Sequence, residues 1–216
     1  MDLETELASK FTIGSYLEIR DKLSSQESSE EWKLVLDAFH RRISERFLKP
    51  IEELLKQDKS LTMRSGFAIL ALDCLLIDTI QSFREGRIKT GETSTAKSFK
   101  NFLKAASFSD FKSKDRGEFF ADVRNGLFHN GETRGNWKIR RDTDQLLLKK
   151  DNSRIINRSI FHERIIVEFN RLCQDLKVPE SSQRRLFLDR MDALSGLSKQ
   201  KQHWIERMLS KFGVSK

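Results

Sequence analysis

Apolar residues recur at intervals of three and four along most of the chain, which predicts a mainly helical protein. A first helix begins near Ser28-Ser29-Glu30-Glu31, a capping-box pattern, and Pro50 is expected to kink or restart it. A second helix, Phe67 to Phe83, is apolar nearly all round and is expected at the centre of the fold. A third helix spans Glu118 to Asn130, with Phe119, Val123 and Leu127 as its core stripe.

The second half of the chain predicts a small β-element and further helices. Two short runs, Trp137 to Arg141 and Leu146 to Lys149, predict a β-hairpin within residues 136–150. An amphipathic helix follows from Arg158 to Leu176, and Pro179 marks a boundary. We therefore expect a helical bundle domain over 1–178 that carries this hairpin insertion, with a variable basic loop and short helices over 86–117. A C-terminal helical extension covers 179–216.

Composition indicates a soluble protein that is expected in the cytoplasm, with no membrane partner. The chain has 216 residues, of which 38% are hydrophobic and 33% charged. We expect Cys74 and Cys173 to be buried free thiols in a reducing compartment, and the acidic start Met1-Asp2-Leu3-Glu4 is unlike a signal peptide. The net charge of +8 favours a polyanionic partner, and RNA is the first candidate.

The segment Arg124-Asn125-Gly126-Leu127-Phe128-His129 is the strongest candidate for chemistry. Arginine binds phosphate through a rigid fork of donors, and histidine transfers protons near neutral pH. Arg124 and His129 are roughly 140° apart around a helix, whereas Asn125 and His129 share a face. Two copies packed about a two-fold axis would bring all three residue types into one cleft. Gly126 suggests close approach of a partner helix or an RNA backbone. The alternative is a solvated Arg124 and a His129 that caps the helix.

Two acidic residues and a polar turn are weaker candidates. Asp73 and Asp78 interrupt the apolar helix, where they either reach the active cleft or pair with Arg124, or instead cap helices or form salt bridges within the bundle. Glu132 and Arg134 follow the motif closely, so they either contact RNA or belong to a solvated turn.

The basic segment offers a candidate RNA-binding flap. Its lysines are Lys97, Lys100, Lys104, Lys112 and Lys114, and they alternate with Phe99, Phe102, Phe108 and Phe111. Phosphate charge and base stacking would suit such a flap, although phenylalanine at helical spacing is more often core. His40, His162 and His203 lack metal-ligand spacing and there is no glycine-rich phosphate loop, so we expect neither a metal nor another cofactor.

The chain resembles the HEPN superfamily (higher eukaryotes and prokaryotes nucleotide-binding domains), whose ribonucleases carry an Arg-x4-6-His motif with a polar residue often after the arginine. Arg124 to His129 matches this motif. Further similarity to a bacterial, plasmid- and genome-encoded branch covers roughly residues 30–176. It rests on Arg46 to Ile51, Ala71 to Thr79, Phe83 to Gly86 and Val123 to Trp137.

The resemblance implies a metal-independent endoribonuclease with a composite site on a homodimer axis. Attack of a 2′-hydroxyl on the adjacent phosphate would give a 2′,3′-cyclic phosphate and a 5′-hydroxyl. His129 would transfer protons, Arg124 would bind the phosphate, and Asn125 would orient the phosphate or His129. The resemblance also implies a toxin–antitoxin or anti-phage role, in which an antitoxin or other regulator is a candidate partner. The alternatives are a non-catalytic dimer that binds RNA, a nucleotide or a protein, and a helical scaffold.

Overall fold

Helices dominate the computed structural model, which describes residues 2–58, 65–88 and 95–197. The α-helices in this part of the chain are α1 (Ile13–Arg20), α2 (Glu30–Ile43), α3 (Lys49–Asp58), α4 (Gly66–Arg84), α5 (Thr95–Phe102), α6 (Ser113–Glu118), α7 (Asn125–Asn130), α8 (Arg158–Lys177) and α9 (Ser182–Leu194). Single π-helical turns cover Ser44–Leu48 and Phe119–Arg124. The expectation of a mainly helical protein is confirmed, and the part of the predicted extension after residue 197 lies outside the described residues.

Two compact units divide the described residues. The first contains residues 2–42, 82–88 and 175–197, and the second contains residues 43–58, 65–81 and 95–174. Three helices contribute to both units, because α2, α4 and α8 each cross a boundary between them. The boundaries between the units therefore do not coincide with Pro179, where the sequence predicts that a separate extension begins.

The first unit has an aromatic core to which α9 contributes. The rings of Phe39 and Phe83 lie 4.5 Å apart between centroids, and Phe187 of α9 packs 5.2 Å from Phe39. Asp192 of α9 accepts hydrogen bonds from buried Tyr16 at 2.6 Å and from Arg20 at 2.5 and 2.7 Å. The predicted helical extension is therefore integrated into this unit as far as residue 197.

Phe119 lies at the centre of the second unit's core. Its ring lies 5.4 Å from Phe111, 5.4 Å from Trp137 and 5.2 Å from Phe161, measured between centroids. Complete burial of one such side chain contributes about 1.5–3 kcal/mol. This cluster anchors the segment that leads into the Arg124 motif.

A three-stranded sheet replaces the predicted hairpin. Its strands are β3 (Trp137–Arg140), β4 (Leu147–Lys150) and β5 (Ser153–Asn157), after the short N-terminal pair β1 (Glu6–Ala8) and β2 (Phe11–Thr12). The central strand β5 pairs parallel with β3 and antiparallel with β4. The hairpin predicted between β3 and β4 is therefore wrong, because β5 lies between them. The strand β5 also holds buried Ile156 against this unit's core.

Helix α4 is partly exposed rather than fully central. Its buried side includes Ile69, Cys74 and Ile77, but Phe67 and Leu75 are 44% and 41% exposed. It is the one described helix whose length and composition would allow it to cross a membrane. Of its most apolar 18-residue stretch, 56% is buried, and core helices of soluble proteins have the same character. The expected central position is thus correct for one side of α4 only.

Candidate functional site

The motif lies on a nearly continuous helical segment from α6 through the π-helical turn into α7. Arg124 is the last residue of the π-helical turn, and Asn125 begins α7. The predicted end at Asn130 is confirmed, whereas the segment begins earlier than Glu118, at Ser113. The predicted stripe of Phe119, Val123 and Leu127 is buried. The π-helical turn is wider than an α-helical turn, so it changes the side of the helix that Arg124 faces.

Arg124 is held by three kinds of contact. Its Nη2 donates to Asp78 Oδ2 at 3.0 Å, and its Nη1 donates to Asn125 Oδ1 at 3.1 Å. The guanidinium carbon lies 4.5 Å from the ring centre of Phe128. The side chains of Arg124 and Asp78 are each 19% exposed, so the ion pair is partly shielded from water. The result is a guanidinium with a fixed orientation at the edge of solvent.

A hydrogen bond joins the side chains of Arg124 and Asn125, and His129 is not part of this contact. His129 is exposed in the last turn of α7. Within the described residues its side chain makes no hydrogen bond or ion pair, whereas the side chains of Arg124 and Asn125 contact each other. Asn125 and His129 are four residues apart on α7, so they share a face of this helix. The direct contacts within one chain therefore join Arg124, Asn125 and Asp78 and do not include His129.

The chain's own loop explains the glycine of the motif. A Cβ atom on Gly126 would overlap the carbonyl oxygen of Glu132. The backbone turns back here because Gly131, at φ +70°, donates its N–H to the Leu127 carbonyl at 3.1 Å. The expectation that Gly126 accommodates a partner helix or RNA backbone is therefore corrected. The space is filled by the loop that follows α7.

Glu132 and Arg134 lie on that returning loop and are exposed. The Arg134 backbone N–H donates to the Asp122 carbonyl at 2.9 Å, which ties the loop to the π-helical turn. The Arg134 side chain donates to Asn130 Oδ1. Both residues remain accessible beside the end of α7, as a solvated turn requires, and their contact with RNA remains a prediction.

The two candidate aspartates of α4 have different partners. Asp78 pairs with Arg124, whereas Asp73 is fully buried and lies 2.7 Å from Nδ1 of His162. Burial raises the pKa of Asp73 to about 6, and the hydrogen bond to His162 opposes this rise. Asp73 therefore forms a buried pair within the bundle, and only Asp78 supports the arginine.

The phenylalanines of the basic segment belong to the core. Phe99, Phe102, Phe108 and Phe111 are each at most 1% exposed. The proposed stacking of RNA bases on these rings is therefore wrong, because they pack against other aromatic rings in the second unit. Lys97 and Lys104 are exposed and Lys100 is half-buried on the same segment. These lysines could therefore attract a polyanion by their charge, without stacking of bases.

Two aromatic residues beside Arg124 were not expected in the site. Phe128 and Phe120 lie 4.5 and 5.6 Å from the guanidinium carbon. The spacing of four residues on either side of Arg124 is the signal that predicts these contacts on a helix. Stacking on these rings contributes about 0.5–1 kcal/mol at a partly exposed site.

Both cysteines are free thiols. Cys74 is buried, which raises its pKa, whereas the expectation that Cys173 is buried is wrong, because it is half-buried. Within the described ranges no group of three or more His, Cys, Asp or Glu side chains is arranged to hold a metal ion.

Comparison with known proteins adds no relative. No protein-family model matches the chain, and searches of curated proteins and of solved structures found no significant match.

Proposed function

We propose that the protein is a metal-independent endoribonuclease of the HEPN type. One observation carries the proposal most strongly. Arg124 is oriented by Asp78 and Asn125, and an exposed histidine lies five residues further along the same helical segment. A fixed guanidinium is suited to bind a phosphodiester, and an accessible imidazole is suited to transfer a proton. The motif and the net charge of +8 support RNA as the substrate.

The proposed reaction is an internal transesterification of RNA. His129 acts in proton transfer, either removing the proton of the attacking 2′-hydroxyl or protonating the leaving 5′-oxygen. The new bond joins the 2′-oxygen to phosphorus, and the bond to the 5′-oxygen breaks, which leaves a 2′,3′-cyclic phosphate and a 5′-hydroxyl. Arg124 stabilises the charge that develops on the phosphate oxygens. Asn125 keeps the guanidinium oriented through its hydrogen bond.

A homodimer would complete this site, since a spacing of five residues on a helix directs Arg124 and His129 to different sides. The exposed side of α4 supports such an interface. At about 100° per residue, Phe67, Ala71, Leu75 and Asp78 fall within roughly 80° of the helix circumference. The partner of Arg124 therefore shares a helix face with the two large exposed apolar side chains. We propose that this face packs against a second copy near the two-fold axis.

A toxin–antitoxin system or anti-phage defence is the setting we propose. A ribonuclease in either role needs control, so an antitoxin or other regulatory partner belongs to the proposal. The exposed lysines Lys97 and Lys104, with half-buried Lys100, would add phosphate contacts along the RNA.

A second function is favoured by one observation, namely that Asp78 already neutralises Arg124 at 3.0 Å. A paired guanidinium has less charge to offer a phosphate. The alternative is therefore a non-catalytic dimer that binds RNA, a nucleotide or a protein partner.

Cleavage by Arg124 variants separates these functions. A ribonuclease should cleave RNA in excess EDTA and leave cyclic-phosphate ends. Arg124→Lys should lower the cleavage rate at least about tenfold, because an ammonium group lacks the planar fork of donors. RNA binding by this variant should persist, since the positive charge is kept. A wild-type dimer that binds RNA without cleaving it would favour the alternative.

A further inference from the structure

A cleft in the first unit lies between the start of α2 and the chain around the end of α8. Its volume is about 320 Å³. The residues that line it are Ser28, Ser29, Trp32, Lys33, Leu36, Asp37, Lys177 and Arg184. This volume is at the lower end of the range for small-molecule sites, roughly 300–1,000 Å³. The cleft combines an apolar side, made by half-buried Leu36 above buried Trp32, with positively charged side chains.

Arg184 supplies a buried charge to this cleft without a carboxylate partner among the described residues. The residue is 1% exposed, and its guanidinium carbon lies 4.5 Å from the ring centre of Trp32. Its hydrogen bonds end on neutral oxygens, the carbonyls of Leu176, Glu27 and Lys177 and the hydroxyl of Ser28, at 2.7 to 3.0 Å. Buried charges in proteins are ordinarily paired with an opposite charge.

The end of α8 offsets only part of the Arg184 charge. The Leu176 and Lys177 carbonyls belong to its last turn, where the helix dipole is equivalent to roughly half a negative charge. Lys177 and Lys33 add positive charge at the exposed rim, although Lys33 is also 2.6 Å from Glu30. Asp37 is the acidic residue in the lining. The lining residues therefore carry three positive charges and one negative charge.

We propose that this cleft binds a small organic phosphate of about mononucleotide size. The phosphate would lie near Lys33, Lys177 and the Ser28 hydroxyl, where it offsets the charge of Arg184. The organic part would pack against the apolar side of the cleft. This site belongs to the first unit and is independent of the Arg124 motif in the second, so it stands or falls separately from ribonuclease activity.

Titration calorimetry on the full-length protein tests this proposal with AMP, inorganic phosphate and adenosine as probes. AMP should bind one site per chain, inorganic phosphate should compete with it, and adenosine should bind at least about tenfold more weakly because it has no charge to pair. Lys177→Gln and Lys33→Gln should each weaken AMP binding, by roughly threefold to tenfold.

Lys56→Gln is a matched control for Lys33→Gln. Lys56 is also exposed and forms the same kind of pair, with Glu53 three residues earlier at 2.7 Å. AMP affinity should be unchanged in Lys56→Gln and in Arg124→Ala. The proposal is overturned if AMP does not bind at millimolar concentration, if adenosine binds equally well, or if both cleft lysines are replaced without effect. It is also overturned if Arg124→Ala abolishes binding.

Discussion

Arg124 Nη2 lies 3.0 Å from Asp78 Oδ2, although the two residues are 46 positions apart in the chain. This pair connects the segment that carries the motif to α4, the most apolar of the long helices that the structure describes. The arginine is also limited by Phe128 and Asn125, which leaves it little rotational freedom. We therefore regard Asp78 as a positioning residue for Arg124.

Replacement of Asp78 with asparagine should slow RNA cleavage about tenfold while RNA binding is kept. The amide retains the size of the carboxylate but loses the charge that orients the guanidinium. Loss of this partly shielded pair should also lower the free energy of unfolding by about 1 kcal/mol. Single-turnover cleavage rates and urea unfolding measure the two effects.

The exposed pair of Arg140 and Asp142 provides the control for that experiment. Its atoms lie 2.5 Å apart, and both side chains are more than half exposed. Asp142→Asn should leave cleavage and stability at wild-type values. Equal cleavage by Asp78→Asn and wild type would show that Asp78 does not position Arg124.

Gly126→Ala should destabilise the protein by roughly 1–3 kcal/mol, since the new Cβ overlaps the Glu132 carbonyl oxygen and forces the loop to move. Gly117 is the matched helical glycine, because nothing lies within 4 Å of an added Cβ there. Gly117→Ala should instead stabilise the protein by about 0.5–1 kcal/mol. Thermal unfolding distinguishes the two signs, and equal effects at both positions would contradict the described loop.

Asp73 should make stability depend on pH in the direction opposite to most carboxylates. Its pKa is about 6 in the folded chain and 3.8 as the ordinary value, mainly because it is buried. The folded state therefore holds a proton that the unfolded state releases, so stability falls as pH rises from about 4 to 6. The difference amounts to about 3 kcal/mol at most.

Urea unfolding of wild type and Asp73→Asn at several pH values isolates this contribution from other carboxylates. The variant should gain stability relative to wild type between pH 4 and 6, with a constant difference above pH 7. A difference that does not change with pH would contradict the assignment of this buried carboxyl.

A charge on the exposed side of α4 should prevent the proposed dimer. Leu75→Arg should give a folded monomer with no cleavage, because a buried, unpaired charge would oppose packing against a second copy. Leu34 is the control, since it is 44% exposed on α2 and lies in the first unit. Sedimentation should find Leu34→Arg unchanged in mass. A dimeric, active Leu75→Arg would remove α4 from the interface.

The long amphipathic helices were predictable from sequence, whereas the short elements were not. The continuous apolar run of α4 and the periodic apolar positions of α8 predict bounds within two residues of those observed. Helix α1 was not predicted, because few of its residues are buried and its start depends on capping by Thr12. The strand β5 was also missed, since parallel pairing with β3 depends on contacts between distant residues.

The sequence predicts only those features of the candidate site that follow from residue spacing, which determines the side of a helix that each residue faces. Asp73 and Asp78 are five residues apart, so they lie on different sides of α4, and the sequence does not identify which of them lies near Arg124. The stacking of Phe128 on Arg124 follows from a spacing of four residues. The buried charge of Arg184 has no counterpart in a sequence pattern, because its carbonyl partners come from two separate segments of backbone.

RNA cleavage by wild type and His129→Ala in excess EDTA tests the central proposal most directly. His40 is the control, because it is also exposed in the last turn of a helix, α2. Wild type and His40→Ala should cleave RNA to products with 2′,3′-cyclic phosphate ends, and His129→Ala should be at least about 100-fold slower. Wild-type rates in His129→Ala, or a folded and dimeric wild type that leaves every RNA intact, would contradict the proposed ribonuclease.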